Sequence, residues 1–179
     1  MEPSPIDPAL LRKAFSHYAT GVAVIGARGA DGAPVGMTVN SFSSVSLAPP
    51  LVSFCPARSS HAFPVYAAMR HFSVSILAAE DRTLSDRFAR VREEHKWDGV
   101  SHRLGEGRVP VLESALAAFE CEVAARFNAG DHVIVLGRVL RLAYDGDRAP
   151  LLFHASRYHA LGAAYDSPQV DLEALIGWG

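Results

Sequence analysis

A chain of 179 residues, 49% hydrophobic and 20% charged, is sized for one domain with a proper core and is neither disordered nor fibrous in composition. Seventeen basic against nineteen acidic residues leave a formal charge of −2, which gives no electrostatic footprint for nucleic acid or an anionic membrane. Two cysteines, Cys55 and Cys121, form neither a CxxC nor a disulfide framework and read as buried thiols.

The opening residues MEPSPIDPALLRK are proline-rich and unlike a signal peptide, and no apolar run approaches the ~20 residues of a membrane span. The expectation is a soluble cytoplasmic protein. Asp7-Pro8 opens a helix, with a capping carboxylate and proline at the first helical position, and the pairs Leu11/Phe15 and Ala14/Tyr18 give it an apolar face. VAVIGA is a short buried strand, and Asp31-Gly32 turns it into PVGMTVNSF. Pro49-Pro50 forbids helix and starts the strand LVSFC. Residues 58–70 read as a short helix with serines near its start. HFSVSIL is a strand and EDRTLSDRFARVR a helix, and a looser stretch runs from Glu93 to Leu112.

In AFECEVAARF the residues Phe119, Cys121, Val123, Ala125 and Phe127 alternate with polar or small ones, as in a half-buried strand. Asn128–Asp131 makes a turn. HVIVLGRVLRLAY is apolar on both faces, with Gly137 marking a bend or a close backbone approach. PLLFH is a last short strand. Many short strands with tight turns and two or three helices point to a closed or nearly closed β-barrel with peripheral helices. A strand apolar on both faces needs outside cover, from a helix or a second subunit; a homodimer is favoured.

Familiar chemistries are absent. There is no GxGxxG after a strand, no GxxxxGK[ST] and no GxSxG, and no two of the eight histidines stand at HxH or HxxxH spacing, so no metal site is expected. Three polar constellations remain. In GMTVNSFSSVS, free backbone groups and small side chains around Thr38, Asn40 and Ser41 suit the edge of a flat heterocycle; the bland alternative is a serine-rich strand facing water. In Cys55-Pro56-Ala57-Arg58-Ser59-Ser60-His61, a guanidinium and two hydroxyls before a helix suit a phosphate, although serine there is more often a plain cap. Gly130-Asp131-His132 puts a histidine at a barrel rim, and HASRYHAL adds a polar-aromatic group. A surface role is the usual one for such residues.

The stretches ATGVAVIGA, GMTVNSFSSVSLAPPLVSFC, RSSHAFPVYAAMRHFSVSIL, LSDRFAR, GDHVIVLGRV and PLLFHASRYHAL resemble the short flavin reductases, the reductase components of two-component flavin-dependent monooxygenases. The likeness spans about residues 12–161. It implies a mainly β fold with peripheral helices, an FMN-binding split β-barrel of Greek-key type, as one domain over 1–161 followed by a tail, 162–179, of unknown role. It implies hydride transfer from NADH or NADPH to FMN or FAD, with the reduced flavin passed to a separate oxygenase. By the resemblance, Thr38, Val39, Asn40 and Ser41 line the isoalloxazine edge. Cys55, Ala57, Arg58, Ser59, Ser60 and His61 surround the ribityl chain and phosphate, and Arg87 and Phe88 approach the flavin from a helix. His132, His154, Arg157 and Tyr158 fall on the nicotinamide-nucleotide side. Trp97 and His61 depart from the family's commoner phenylalanine and threonine. Such a reaction needs no acid, base or nucleophile from the protein, only stacked rings and oriented dipoles. Two other readings are a flavin-binding electron-transfer protein without efficient NAD(P)H oxidation and an oxidase of the pyridoxamine-phosphate type. The second would want a dense basic phosphate site, and the sequence offers only Arg58 and scattered arginines.

Overall fold

The computed structural model describes residues 6–163 of the chain; of the tail expected over 162–179, residues 164–179 lie outside the described residues. Helix α1 (Pro8–Phe15) opens as the sequence implies, with Pro8 in its first turn and the Asp7 carboxylate accepting the Ala9 N–H at 2.9 Å. Its apolar face is uncovered: no residue of α1 is buried, and Leu10 and Phe15 are 64% and 68% exposed.

Five strands follow, β1 (Thr20–Gly21), β2 (Ala23–Arg28), β3 (Pro34–Val39), β4 (Ser43–Leu47) and β5 (Pro50–Phe54), then helix α2 (Phe63–Ala68), β6 (His71–Ile76) and helix α3 (Arg82–Arg90). The second half adds β7 (His102–Leu104), β8 (Pro110–Leu112), β9 (Ala117–Ala129), β10 (His132–Tyr144), β11 (Leu152–His154) and β12 (Arg157–His159). The stretch read as loose thus contains a small antiparallel pair, β7 with β8. The helix expected at residue 58 opens only at Phe63, and its cap is Ala62 with no side-chain bond, so Ser59 and Ser60 are not caps. The cause lies across the sheet: Ala57 bridges to His132, and the Arg58 N–H donates to Asp131 O at 2.9 Å, which holds the chain extended there.

The main sheet has the antiparallel order β3-β2-β6-β9-β10-β5-β4. Its two outermost strands, β3 and β4, are consecutive in the chain and are joined by residues 40–42. Four peptide steps span at most ~14 Å, whereas the edges of a flat seven-stranded sheet would stand ~29 Å apart at ~4.8 Å per strand. The sheet is therefore rolled into a barrel whose seam is crossed by residues 40–42 without strand pairing between β3 and β4. This is a split β-barrel. The serine-rich half of the polar row is the exposed edge strand β4, and the other half is the seam.

Inside the barrel Ile25, Phe54, Tyr66, Phe72, Val74 and Val135 form the main core, all fully buried. Helix α2 inserts Tyr66, whose hydroxyl donates to Ile25 O at 3.3 Å, and the Arg126 guanidinium donates to the Tyr66 and Met69 carbonyls at the end of that helix. Gly137 is the close approach that its place in β10 suggests: a Cβ there would lie 2.3 Å from the Phe72 ring, and the β9–β10 register shifts at this point. Toward the end of β10, past its bulge, Leu142 and Tyr144 pair with Phe119 and Ala117 and are 62% and 72% exposed, and Phe127 of β9, expected half-buried, is exposed as well. A second core, including Val22, Val24, Leu77, Phe88, Trp97 and Leu151, lies outside the barrel and seats α3 and the sheet β1-β11-β12 against it.

Candidate functional site

The seam, α3 and the β11–β12 hairpin bound a groove of three adjoining clefts. The middle one, about 260 Å³, is lined by Thr38, Val39 and Asn40 from the seam side, Ser85 and Ala89 from α3, and Tyr158 from β12. On one flank a cleft of about 550 Å³ has Ser59, Ser60 and His61 on one wall and Arg90, Arg92 and Lys96 on the other. On the opposite flank a cleft of about 510 Å³ is lined by Arg82, Arg90 and Arg157 with Phe153, Ser156 and Tyr158. Arg90 borders all three. A fourth hollow, walled by Phe15, Tyr18 and Phe42, reaches Asn40 and Ser41 from the other side of the seam.

The groove's width is set by how α3 and the turn after it are fastened to β3. Thr38 Oγ1 donates to Ser85 O at 2.7 Å. The Gly36 N–H donates to Glu93 Oε1 at 2.7 Å, while Lys96 Nζ donates to Gly36 O at 2.8 Å and pairs with Glu93 at 2.7 Å. Lys96 is a buried cation, tolerated because it is paired and bonded. Gly36 permits this approach, since a Cβ there would lie 2.6 Å from the Phe88 ring. Residues 40–42 belong to no strand, so the ladder does not consume their backbone groups. A slot with small side chains, free main-chain groups on one edge and an aromatic ring at its mouth fits a flat heterocycle carrying donors and acceptors.

The structure brings Thr38, Val39, Asn40 and Tyr158 to one cleft, Ser59, Ser60 and His61 to its neighbour, and Arg157 to the third. Ser41 sits at the seam, where its Oγ accepts the Cys55 N–H at 3.1 Å and ties the end of β3 to the end of β5. Burial pushes the Cys55 thiol up, as the partly buried environment of an inert thiol does.

Other expected residues point elsewhere. Arg58 donates to Asn128 Oδ1 at 2.5 Å and to Gly130 O at 3.3 Å, and its guanidinium lies 5.6 Å from the Phe63 ring, so the fork grips the β9–β10 turn instead of opening into the Ser59–His61 cleft. Arg87 donates to Asp98 O at 2.7 Å and to His95 O at 3.3 Å, holding the turn that follows α3. Phe88 is buried against Trp97, their ring centroids 4.7 Å apart. Both placements on α3 follow from helix phase. Leu84 and Phe88, one turn apart, face the second core, which turns Arg82, Asp86 and Arg90 to the groove. Arg82, Ser85, Ala89 and Arg90 are the α3 residues that sequence reading missed, and this Leu84/Phe88 spacing is the signal that could have found them.

His132 and Ala57 bridge at the barrel rim beside the Ser59–His61 turn. The His132 Nδ1 lies 2.7 Å from Asp131 Oδ1, and this hydrogen bond holds the Asp131 carboxyl below the usual carboxylate range. His154 lies between His17 and His159, at 5.7 Å from each ring centroid, and does not line the groove. Among the described residues no group of three or more His, Cys, Asp or Glu side chains converges to hold a metal ion, and no helix is long and apolar enough to cross a membrane.

A split barrel with a ring-sized slot at its seam and polar clefts on both flanks defines a class of proteins that hold a flat, phosphate-bearing cofactor at the barrel edge. Residues 15–162 match the flavin reductase like domain, and the chain belongs to that family. It is 44% identical over 148 residues to the FMN reductase (NADH) SmoA of Agrobacterium fabrum, covering 82% of each chain. It is 34% identical over 176 residues to the flavin-dependent monooxygenase reductase subunit HsaB of Mycobacterium tuberculosis, covering 96% of this chain and 93% of that one. Among solved structures, the NADH:FAD oxidoreductase SgcE6 of Streptomyces globisporus, in complex with NAD and FAD fragments, superposes with a TM-score of 0.83 at 33% identity, over 92% of this chain and 100% of that one.

Proposed function

We propose that this chain is an NADH:flavin oxidoreductase that reduces FMN or FAD and supplies the reduced flavin to a separate monooxygenase. The observation that carries the reading is the middle cleft, whose lining comes from the very segment, Thr38–Asn40, that the family resemblance assigns to the flavin ring. A bound flavin supplies the hydride acceptor, and NADH the donor. The chain's own part is to hold, orient and shield. The seam backbone and the Asn40 amide act as fixed dipoles toward the polar edge of the ring. Ser85 and Ala89 leave room for its plane, and Tyr158 and Phe153 close the mouth. Ser59 and Ser60, with Arg90 opposite in place of the engaged Arg58, hold the phosphate end. His132, Arg157 and Tyr158 attend the nicotinamide nucleotide.

A homodimer accompanies this reading. It rests on the large apolar side chains that β10 leaves exposed, Ile134, Leu140, Leu142 and Tyr144; exposed apolar surface of this kind favours association. Sedimentation of the pure protein at micromolar concentration tests it: a single species of twice the chain mass is expected, and a monomer contradicts it.

The activity is tested by mixing protein, excess FMN and excess NADH in air and following nicotinamide absorbance. Sustained oxidation through many turnovers supports the reductase. A single stoichiometric bleaching contradicts it and indicates the electron-transfer protein.

A further inference from the structure

Glu93 stands on the wall of the 550 Å³ cleft, where a carboxylate has the wrong sign for the phosphate that Ser59, Ser60 and Arg90 are read to hold. Its geometry gives it a different task, shared with Lys96. The two residues open and cap a single turn of 3-10 helix, Glu93–His95, and both reach one residue of β3. Glu93 Oε1 accepts the Gly36 N–H at 2.7 Å, Lys96 Nζ donates to Gly36 O at 2.8 Å, and the ammonium and carboxylate meet at 2.7 Å. β3 is an outermost strand of the rolled sheet. An open edge leaves the N–H and C=O of alternate residues without a partner. At Gly36 the ion pair takes the place of the missing strand.

A Cβ at position 36 would lie 2.6 Å from the Phe88 ring and 3.0 Å from Trp97, so the polar fastening of β3 there runs through its main chain. Arg87 anchors the same 3-10 turn to α3 through the carbonyls of His95 and Asp98. A continuous strut thus runs from α3 through Glu93 and Lys96 to Gly36. By the alternation of an antiparallel edge, Thr38 is the next residue to turn its main chain outward, and Thr38 lines the ring cleft. The ion pair stops one pairing step short of that cleft. We propose that Glu93 and Lys96 are positioning residues for the ring cleft: by bonding both main-chain groups of Gly36 they fix the free edge of β3, and with it the wall that Thr38 and Val39 present to the flavin ring. Neither side chain touches the ring. The proposal rests on the reductase reading for the ring that enters the cleft.

The test compares Glu93→Ala/Lys96→Met with Glu93→Gln/Lys96→Met. Neither leaves a buried charge unpaired. They differ only in the carboxamide of residue 93, whose oxygen accepts an N–H and whose nitrogen donates to a carbonyl, as Gly36 requires. Amide hydrogen exchange is read first by NMR, on wild type without ligand. Gly36 is expected to exchange roughly a hundredfold more slowly than an unstructured glycine, and exchange at the unstructured rate overturns the proposal whatever the variants do. In the alanine variant exchange is expected to be at least about tenfold faster than in wild type at Gly36 and at Val39, which pairs with Ala23 and lines the ring cleft. The glutamine variant is expected to restore it to within about threefold. Riboflavin carries the ring without the phosphate. Its dissociation constant and that of FMN are expected to rise together by at least about fivefold in the alanine variant and to return to within about twofold with glutamine. Arg103→Met, which breaks the pair with Glu120 outside the four clefts described, is the control for general destabilisation and is expected to leave riboflavin binding within about twofold. A loss of FMN without a loss of riboflavin would place the pair on the phosphate and overturn the proposal. Unchanged exchange in the alanine variant, equal losses in the two double variants, or an equal loss in Arg103→Met would also overturn it. Failure of the reductase reading looks different: wild type then binds neither flavin, while exchange at Gly36 and Val39 still separates the two double variants.

Discussion

The Tyr158 hydroxyl lies 2.8 Å from Ser85 Oγ, so the β11–β12 hairpin is tied to α3 across the mouth of the ring cleft. Ser85 is fully buried, and its carbonyl accepts Thr38 Oγ1. One residue of α3 thus joins the barrel seam to the hairpin. Tyr158→Phe removes a neutral hydrogen bond worth about 1 kcal/mol while keeping the ring. The KM for FMN is expected to rise about fivefold with kcat unchanged, the equivalent of that energy. Steady-state kinetics check this, and a fall in kcat at constant KM would show that Tyr158 acts on the reaction rather than on the cleft.

His132 stands at the rim with its Nδ1 engaged by Asp131. His132→Ala is expected to raise the KM for NADH several-fold while flavin affinity changes by less than about threefold, or ~0.7 kcal/mol. Loss of flavin binding with an unchanged NADH KM would place His132 on the flavin instead.

Glu120 is buried in β9 and accepts the Glu106 N–H at 2.7 Å and Arg103 Nη1 at 2.6 Å. Burial pulls its pKa up, but the Glu106 N–H and the guanidiniums of Arg103 and Arg141 outweigh it and hold the carboxyl below the usual range. A depressed folded-state pKa contributes stability that is complete above the unfolded value of ~4.3 and lost as pH falls through the folded value. Arg103→Met leaves the carboxylate unpaired. It is expected to cost about 2–3 kcal/mol at neutral pH, the low end for a buried pair because Arg103 is half exposed, and to cost less in acid. Urea unfolding at several pH values measures this; a cost independent of pH would contradict the assignment.

Gly137 leaves no room for a methyl group against Phe72, which is itself fully buried. Gly137→Ala is expected to destabilise the barrel by about 3 kcal/mol, read by chemical denaturation. A neutral effect would mean that β10 shifts there at no cost.

The barrel was legible where local chemistry and fold agree. The Asp31-Gly32 and Asn128–Asp131 turns, the Asp7-Pro8 cap and the doubly apolar β10 all stand where their residues put them, because each rests on a short-range cause. The seam was legible as a run of small polar residues, yet its division into a ring edge and a solvent-facing strand depends on where the rolled sheet closes, which is a long-range fact. Arg58 is held away from the cleft for a related reason. Its partners, Asn128 and Gly130, lie some seventy positions away in sequence, and a motif read alone cannot show that a guanidinium is already engaged. The placement of Arg87 and Phe88 away from the groove follows from phase alone. Arg87 and Phe88 stand in a conspicuous motif, but the helix turns Ser85, Ala89 and Arg90 to the groove.

Ala89 lines the ring cleft from an exposed position on α3, where leucine suits the helix as well as alanine nearly does and fills the slot. Equilibrium titration of FMN, followed by flavin fluorescence, compares wild type with Ala89→Leu. Wild type is expected to bind, and the variant, at an unchanged melting temperature, to bind at least tenfold more weakly. Equal affinity of the two proteins, or flavin fluorescence untouched by wild type even with NADH present, would contradict it.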